Sequence, residues 1–301
     1  MQLGFIGLGK MGANMTQRLL KGGHQLTVND IDPESIRRLA ASGAHGAATI
    51  EELAGSLSPP RAVWIMVPSG EPTEKTIAAL VPALSRGDVV IDGGNSYYRD
   101  SVRRAARLKE EGLAFVDVGT SGGVWGLTEG YSLMIGGEPS TVRRLRPVFE
   151  TLAPAPNKGW GHVGPHGAGH FVKMVHNGIE YGLMQAYAEG FAIMAAKKDF
   201  GLDLHAVAET WRHGSVVRSW LLDLTADALS KDPTLETIKP WVADSGEGRW
   251  TLLEALDLDV SAPVITESVL RRLRSREDAP FADKLLAALR QAFGGHDLRK
   301  E

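Results

Sequence analysis

The sequence predicts an α/β fold in which a doubly wound parallel sheet fills the N-terminal half and a smaller all-helical domain follows. Three observations predict it. Short apolar runs alternate with helical patterns through the first half, and a glycine-punctuated turn follows the first of those runs. Beyond a glycine-dense stretch at 157–169, amphipathic helical spacing continues with no convincing strand. The domains expected are therefore 1–165 and 166–301.

Gln2–Ile6 reads as a short apolar strand, followed at once by Gly7-Leu8-Gly9-Lys10-Met11-Gly12 and a helical pattern through Leu20. In this G-x-G-x-x-G turn Gly7 permits the tight bend, Gly9 lets the backbone approach a pyrophosphate, and Gly12 lets helix and strand pack closely. The helix N-terminus favours the phosphate charge. A plain glycine turn is the competing reading. The strand before, the helix after and an acidic residue at the next strand end weigh against it, so the first domain reads as a Rossmann dinucleotide-binding domain. The second strand, 25–28, ends in Asn29-Asp30. Asp30 can accept hydrogen bonds from both ribose hydroxyls and would repel a 2′-phosphate, which predicts NAD over NADP. Alternatively Asp30 or Asp32 caps the helix starting near Pro33, a role that suits Asp32 better.

Further apolar runs at 62–67, 89–91 and 114–118 end in Pro68-Ser69-Gly70, Asp92-Gly93-Gly94-Asn95-Ser96 and Gly119-Thr120-Ser121-Gly122-Gly123. Ligands of doubly wound sheets bind outside the carboxyl ends of the strands, so Asn95 and Ser121 are candidates to orient a substrate. Ordinary turn chemistry also accounts for Gly, Asn and Ser at these points.

The segment 167–185, GAGHFVKMVHNGIEYGLMQ, sets Lys173, Asn177 and Glu180 on one helical stripe, with His176 on its flank. Phe171, Val172, Met174, Val175, Ile179 and Leu183 cover the other sides, so the helix reads as buried with its polar stripe lining a cavity. A buried lysine and glutamate suit proton transfer near neutrality. An internal Lys–Glu ion pair is the bland alternative, and the added polar groups of His176, Asn177 and Tyr181 favour a binding surface. Later helical patterns fall at 207–211, 220–229, 252–256, 264–274 and 281–293.

A chain of 301 residues with 43% hydrophobic content can bury one or two substantial cores. Its net charge of −3 offers no bulk attraction to nucleic acid or membranes. The chain has no cysteine, which excludes disulfides and thiolate metal sites, and its scattered histidines lack metal-ligand spacing, so no metal is expected. The apolar start MQLGFIGLGKMG has no basic segment before it, and no apolar run reaches about 18 residues, so the expected location is cytoplasmic.

The pieces together resemble the 6-phosphogluconate dehydrogenase family, within the broader β-hydroxyacid dehydrogenases, over most of the chain. GLGKMGANM at 7–15, IDGGNS at 91–96, SGG at 121–123 and HFVKMVHNGIEYG at 170–182 carry the resemblance. It implies oxidative decarboxylation of 6-phosphogluconate to ribulose 5-phosphate with reduction of NAD, in pentose phosphate or gluconate metabolism. Lys173 is then the base that takes the proton of the C3 hydroxyl and later stabilises the enediol, and Glu180 protonates C1. Asn95, Ser121, Gly122, Gly123, His176, Asn177 and Tyr181 hold the sugar acid. The cofactor rests on Gly7, Leu8, Gly9, Lys10, Met11, Gly12, Asn29, Asp30, Val67 and Asn95. The ending Arg290-Gln-Ala-Phe-Gly-Gly-His296 is similar to a C-terminal arm that reaches the neighbouring subunit, which implies a homodimer or higher assembly in which Arg290 and His296 complete a site in trans.

The chain also departs from the family pattern. NADP-using members carry an arginine just after the second-strand asparagine, where this chain has Asp30. Longer members have an additional block of helices. Arg272 matches a phosphate-binding arginine, but a Lys-Gly-Thr element that would precede Gly248-Arg249-Trp250-Thr251 is missing, leaving Arg249 as a possible substitute. Arg271, Arg272, Arg274 and Arg276 could instead form a solvated basic face, and Arg290 a helix C-terminal cation. Two other functions remain open at this level. One is a dehydrogenase of a small unphosphorylated acid such as 3-hydroxyisobutyrate, and the other is a non-enzymatic dinucleotide-binding protein, which would need neither Lys173 nor Glu180.

Overall fold

A computed structural model describes residues 1–294. Contacts divide the chain into two compact units, the first ending at His176 and the second beginning at Asn177. The first unit alternates strand and helix: β1 (Gln2–Ile6), α1 (Lys10–Lys21), β2 (Gln25–Asn29), α2 (Pro33–Ala40), β3 (His45–Gly46), α3 (Ile50–Gly55) and β4 (Ala62–Ile65). It continues through α4 (Glu71–Leu80), β5 (Val89–Asp92), α5 (Tyr98–Glu110), β6 (Ala114–Ser121), α6 (Gly126–Glu129), β7 (Ser132–Gly137), α7 (Pro139–Leu152) and β8 (Trp160–Gly164). Helix α8 (Ala168–Ala196) carries the chain from the first unit into the second.

The strands form one sheet in the order β3-β2-β1-β4-β5-β6-β7-β8. Alternation along each buried strand separates two cores. Leu3, Phe5, Trp64, Ile91 and Val116 face Met15 and Leu19 of α1 and Leu145, Val148 and Phe149 of α7. Ile6, Val63, Ile65, Val90 and Phe115 face Leu53 of α3, Ile77 and Leu80 of α4, and Ala105 and Leu108 of α5. A sheet covered on both faces explains why these strands read as continuous apolar runs.

The sheet is not wholly parallel. Strands β3, β2, β1, β4, β5 and β6 are parallel, whereas β7 runs antiparallel to β6 and β8 parallel to β7. The antiparallel partner also lengthens β6. Ser121 pairs with Ser132, so Gly119, Thr120 and Ser121 are strand residues rather than the loop expected from the sequence.

The second unit is helical where described, with α9 (Leu204–Arg212), α10 (Trp220–Lys231), α11 (Glu247–Asp257), α12 (Pro263–Arg274) and α13 (Phe281–Gly294) after the end of α8. Its core joins Phe191 of α8 to Ala208 of α9 and Leu222, Ala226 and Leu229 of α10. Helix α8 runs well past residue 185, and its all-round burial is corrected: Ile179 and Leu183 are exposed by 53% and 47%. Among the described residues, no helix is long and apolar enough to cross a membrane, and no cluster of His, Asp and Glu is arranged to hold a metal ion.

Just before β2, His24 is buried with Nε2 2.9 Å from the Thr151 hydroxyl of α7. Burial holds its pKa below the ordinary 6.5. The unfolded chain therefore binds this proton first as pH falls, and stability drops in the window below 6.5, down to the folded value. His24→Gln should abolish that contribution. Relative to the variant, the wild type should lose melting temperature as pH falls below 6.5, with equal slopes refuting the assignment.

Candidate active site

The backbone of the glycine turn meets the demands of a dinucleotide site. Gly7 sits at φ +94°, a region L-residues rarely adopt, and a Cβ there would overlap the Met66 carbonyl. A Cβ on Gly12 would overlap the Gly7 carbonyl, so this glycine sets how closely α1 packs on the turn. Gly9 has open space where its Cβ would lie, and it begins α1 without a side-chain cap. The first-turn N–H groups of α1 thus remain available to a diphosphate. Leu8 is buried, while Lys10 is exposed at the start of α1 and Met11 packs partly into the core.

The carboxylate at the end of β2 is fixed by its surroundings. Asp30 accepts from the backbone N–H of Leu8 through one oxygen and from Asp32 N–H at 2.8 Å through the other. Asp32 is the cap of α2, accepting from Glu34 and Ser35 N–H, so the two aspartates have separate tasks. Asn29 donates to the Ala47 carbonyl at 3.0 Å. Beside them lies a cavity of about 620 Å³, with Asn29, Asp30, Ile31, Ala47 and Thr49 in its wall. A carboxylate at its edge accepts ribose hydroxyls and repels an added phosphate.

Val67 ties this turn to the next strand end. Its side chain lies 3.0 Å from where a Gly7 Cβ would be, and its carbonyl 2.8 Å from where a Gly94 Cβ would be. The 93–96 segment after β5 therefore packs against the segment after β4, with Asn95 exposed. After β6, Gly122 and Gly123 take φ of +132° and +52°, so the chain beyond Ser121 bends through conformations that favour glycine.

Lys173 is positioned by a residue the sequence reading passed over. Asp117, fully buried in β6, accepts from the backbone N–H of Gly167 at 2.7 Å and of His170 at 3.0 Å. Its carboxylate thereby satisfies N–H groups at the start of α8 from a strand far away in sequence. A Cβ on Gly169 would lie 2.6 Å from the Asp117 carbonyl, and one on Gly119 would overlap the Lys173 Cβ. Helix and sheet thus touch backbone to backbone, and Lys173 emerges, 9% exposed, over Gly119. His170 is pinned as well, with Nδ1 2.7 Å from the Ser101 hydroxyl of α5. A charged residue between Val116 and Val118 in an apolar run was the signal available in the sequence.

Helix α8 is continuous, so Lys173, Asn177 and Glu180 share one stripe, with His176 half-buried beside it. Within the second unit Tyr181 is buried, and the Arg272 guanidinium of α12 lies 3.5 Å from its ring centroid. The Tyr181 hydroxyl is 3.4 Å from Asp244 and 3.3 Å from Ser245. Burial pushes the Asp244 carboxyl up, but the Gly246 N–H and Arg249 outweigh it and hold the group below its ordinary value. Arg249 is bonded to Asp244. The basic residues of α12 and just beyond it are not uniformly solvated: Arg272 donates to the Ala243 carbonyl, Arg274 pairs with Glu277 and Asp283, and Arg276, past the helix end, donates to the Val242 carbonyl. Arg290 is exposed on α13, and His296 lies outside the described residues.

Residues 2–164 match the NAD binding domain of 6-phosphogluconate dehydrogenase, and residues 169–283 match its C-terminal domain. The NAD(+)-dependent, decarboxylating 6-phosphogluconate dehydrogenase of Haloferax volcanii is 43% identical over 302 residues, covering 100% of this chain and 99% of that protein. The Plasmodium falciparum 6-phosphogluconate dehydrogenase structure superposes with TM-score 0.84 at 29% identity, over 100% of this chain but 66% of that longer one. A 3-hydroxyisobutyrate dehydrogenase of Mycobacterium tuberculosis shares the fold, with TM-score 0.71 at 24% identity over 89% of this chain and 90% of its own.

Asp117→Asn should turn an amide donor toward one of the two buried N–H groups and cost about 1–3 kcal/mol in urea unfolding. Turnover should fall with it, because the start of α8 sets Lys173. Unchanged stability would remove Asp117 as the anchor.

Proposed function

This chain belongs to the 6-phosphogluconate dehydrogenase family, and we propose that it oxidises and decarboxylates 6-phosphogluconate to ribulose 5-phosphate with NAD as the hydride acceptor. One observation carries the reading. Lys173 and Glu180 share a stripe of α8, and the start of that helix is fixed on the sheet edge where the glycine turn and Asp30 suit a dinucleotide.

NAD, when bound, takes the hydride from C3. The uncapped start of α1 suits its pyrophosphate and Asp30 its adenosine ribose. Lys173 accepts the C3 hydroxyl proton as the hydride leaves, giving a β-keto acid. Loss of carbon dioxide moves the carboxylate bond electrons into an enediol, whose developing charge Lys173, now cationic, stabilises. Glu180 delivers the proton to the former C2, which becomes C1 of ribulose 5-phosphate. Asn95, Ser121, Gly122, Gly123, His176 and Asn177 hold the hydroxyls and carboxylate, and Tyr181 and Arg272 take the phosphate. A planar guanidinium held against an aromatic ring is preorganised for a dianion.

The working form is a homodimer or higher assembly in the cytoplasm, with the arm bearing Arg290 and His296 reaching the neighbouring site. Supporting this, Ile179, Leu183 and Ile193 make an exposed apolar stripe on α8, and Phe281, Leu285 and Leu289 make another on α13.

Incubation with 6-phosphogluconate and either cofactor should give NADH and matching carbon dioxide, and much less NADPH. Activity confined to unphosphorylated β-hydroxy acids would overturn the substrate. Lys173→Met should abolish turnover while NAD still binds, and near-normal rates would remove the lysine from the mechanism. Asp30→Arg should move preference toward NADP by about tenfold or more, the direction expected when a repelling charge becomes an attracting one; an unchanged ratio would place ribose recognition elsewhere.

A further inference from the structure

Beneath the loop that carries Asn95 lies a buried charge cluster to which the proposed reaction assigns no role. Asp92, at the end of β5, is fully buried. One of its oxygens accepts from Gly94 N–H at 3.1 Å, and the other accepts from the Ser96 hydroxyl at 2.8 Å. That second oxygen also takes a hydrogen bond of 2.9 Å from Nη1 of Arg104, a helix α5 residue only 1% exposed. The same guanidinium donates through Nε to Glu74 of α4 at 2.9 Å, and Arg103 reaches Glu74 at 2.8 Å. Helix α4 begins directly after the 67–70 segment. A single planar fork therefore ties the strand end that leads into the 93–96 loop to the helix that follows the 67–70 loop.

The remaining contacts leave this loop little freedom. A Cβ on Gly93 would overlap the Trp64 indole, and one on Gly94 would press on the Val67 carbonyl. Gly93, Gly94 and Ser96 are buried, and Asn95 alone among the four is exposed. A buried ion pair is a poor source of stability, because desolvating both charges offsets their attraction. What the fork does supply is direction. Two carboxylates on separate elements, bonded by one rigid guanidinium, hold a fixed separation that a single ammonium cannot reproduce.

We propose that Arg104 is a positioning residue for the reaction, which with Asp92 and Glu74 holds the 93–96 loop in the geometry that presents Asn95 to substrate and cofactor. The proposal rests on the assignment of Asn95 to the site above.

The test uses Arg104→Lys, which keeps the charge and loses the fork, alone and combined with Asn95→Ala. Arg104→Lys should lower kcat/KM for 6-phosphogluconate by about tenfold to a hundredfold. In the Asn95→Ala background the same change should cost less than about twofold, because the residue being positioned is gone. An equal loss in both backgrounds would show that Arg104 acts through the fold at large and would overturn the proposal. If Arg104→Lys does not fold, Ser96→Ala removes one of the loop's two hydrogen bonds to Asp92 without touching a charge, and it should be non-additive with Asn95→Ala in the same way; additivity would again overturn it. Amide hydrogen exchange supplies a readout independent of activity. Exchange at residues 92–97 should accelerate in Arg104→Lys or Ser96→Ala while β1 and β2 keep their protection, and unchanged exchange there would refute the clamp. Wild-type protein inactive on 6-phosphogluconate would defeat the substrate assignment and leave this exchange experiment to decide. Full activity in Asn95→Ala would overturn the positioning role and leave the reaction standing.

Discussion

Helix α8 stands where it does because of one buried carboxylate. Asp117, fully buried in β6, accepts two N–H groups at the helix start. Those groups would otherwise face the sheet without partners, at a cost comparable to a lost hydrogen bond each. The carboxylate in turn needs the N–H groups, since an unpaired charge in that interior would cost far more. The mutual requirement sets the position of α8 along β6, and Lys173 follows as the next turn of the helix. The contact works only at short range. Gly119, Gly136 and Gly169 lack the Cβ atoms that would push helix and strand apart.

The same economy of side chains recurs around the dinucleotide turn. Gly7 passes under Met66, and Gly94 lies against the Val67 carbonyl. Successive strand ends are thus brought within contact of each other, and half-buried Asp30 and exposed Asn95 rise from a tightly packed base. Rigidity at this edge matters for chemistry. A hydride and a proton must leave neighbouring atoms at one carbon, and misplacement of either acceptor lowers the rate steeply.

The helical unit solves a different problem. For a phosphorylated acid, which carries several negative charges, the proposed anchor in this unit is Arg272, whose guanidinium lies 3.5 Å from the Tyr181 ring centroid. The cation nearby in sequence, Arg249, is bonded to Asp244, whose carboxylate also feels the charge of Arg276. Outside this cluster the unit leaves large apolar side chains on α8 and α13 facing water, more than a small set of helices can cover by itself.

Much of this was legible in the sequence. The glycine turn, the carboxylate ending the second strand and the helical stripe of Lys173, Asn177 and Glu180 are local patterns. Each depends on backbone conformation or on a 3.6-residue period, and both are written in neighbouring residues. The fold class followed for the same reason. What lay beyond reach was everything set by partners distant in sequence. The antiparallel β7 converts the expected 119–121 loop into strand, because ladder bonds come from another segment. Ile179 and Leu183 read as core from their place on the apolar sides of the helical pattern, yet both are exposed. The Asp244 partner of Arg249 was not legible in the sequence either. Asp117 and Arg104 look in sequence like a lone charge in a strand and one more basic residue on a helix. Their roles appear only when strand and helix meet, since a charge's meaning depends on which groups share its burial, and tertiary structure alone decides that.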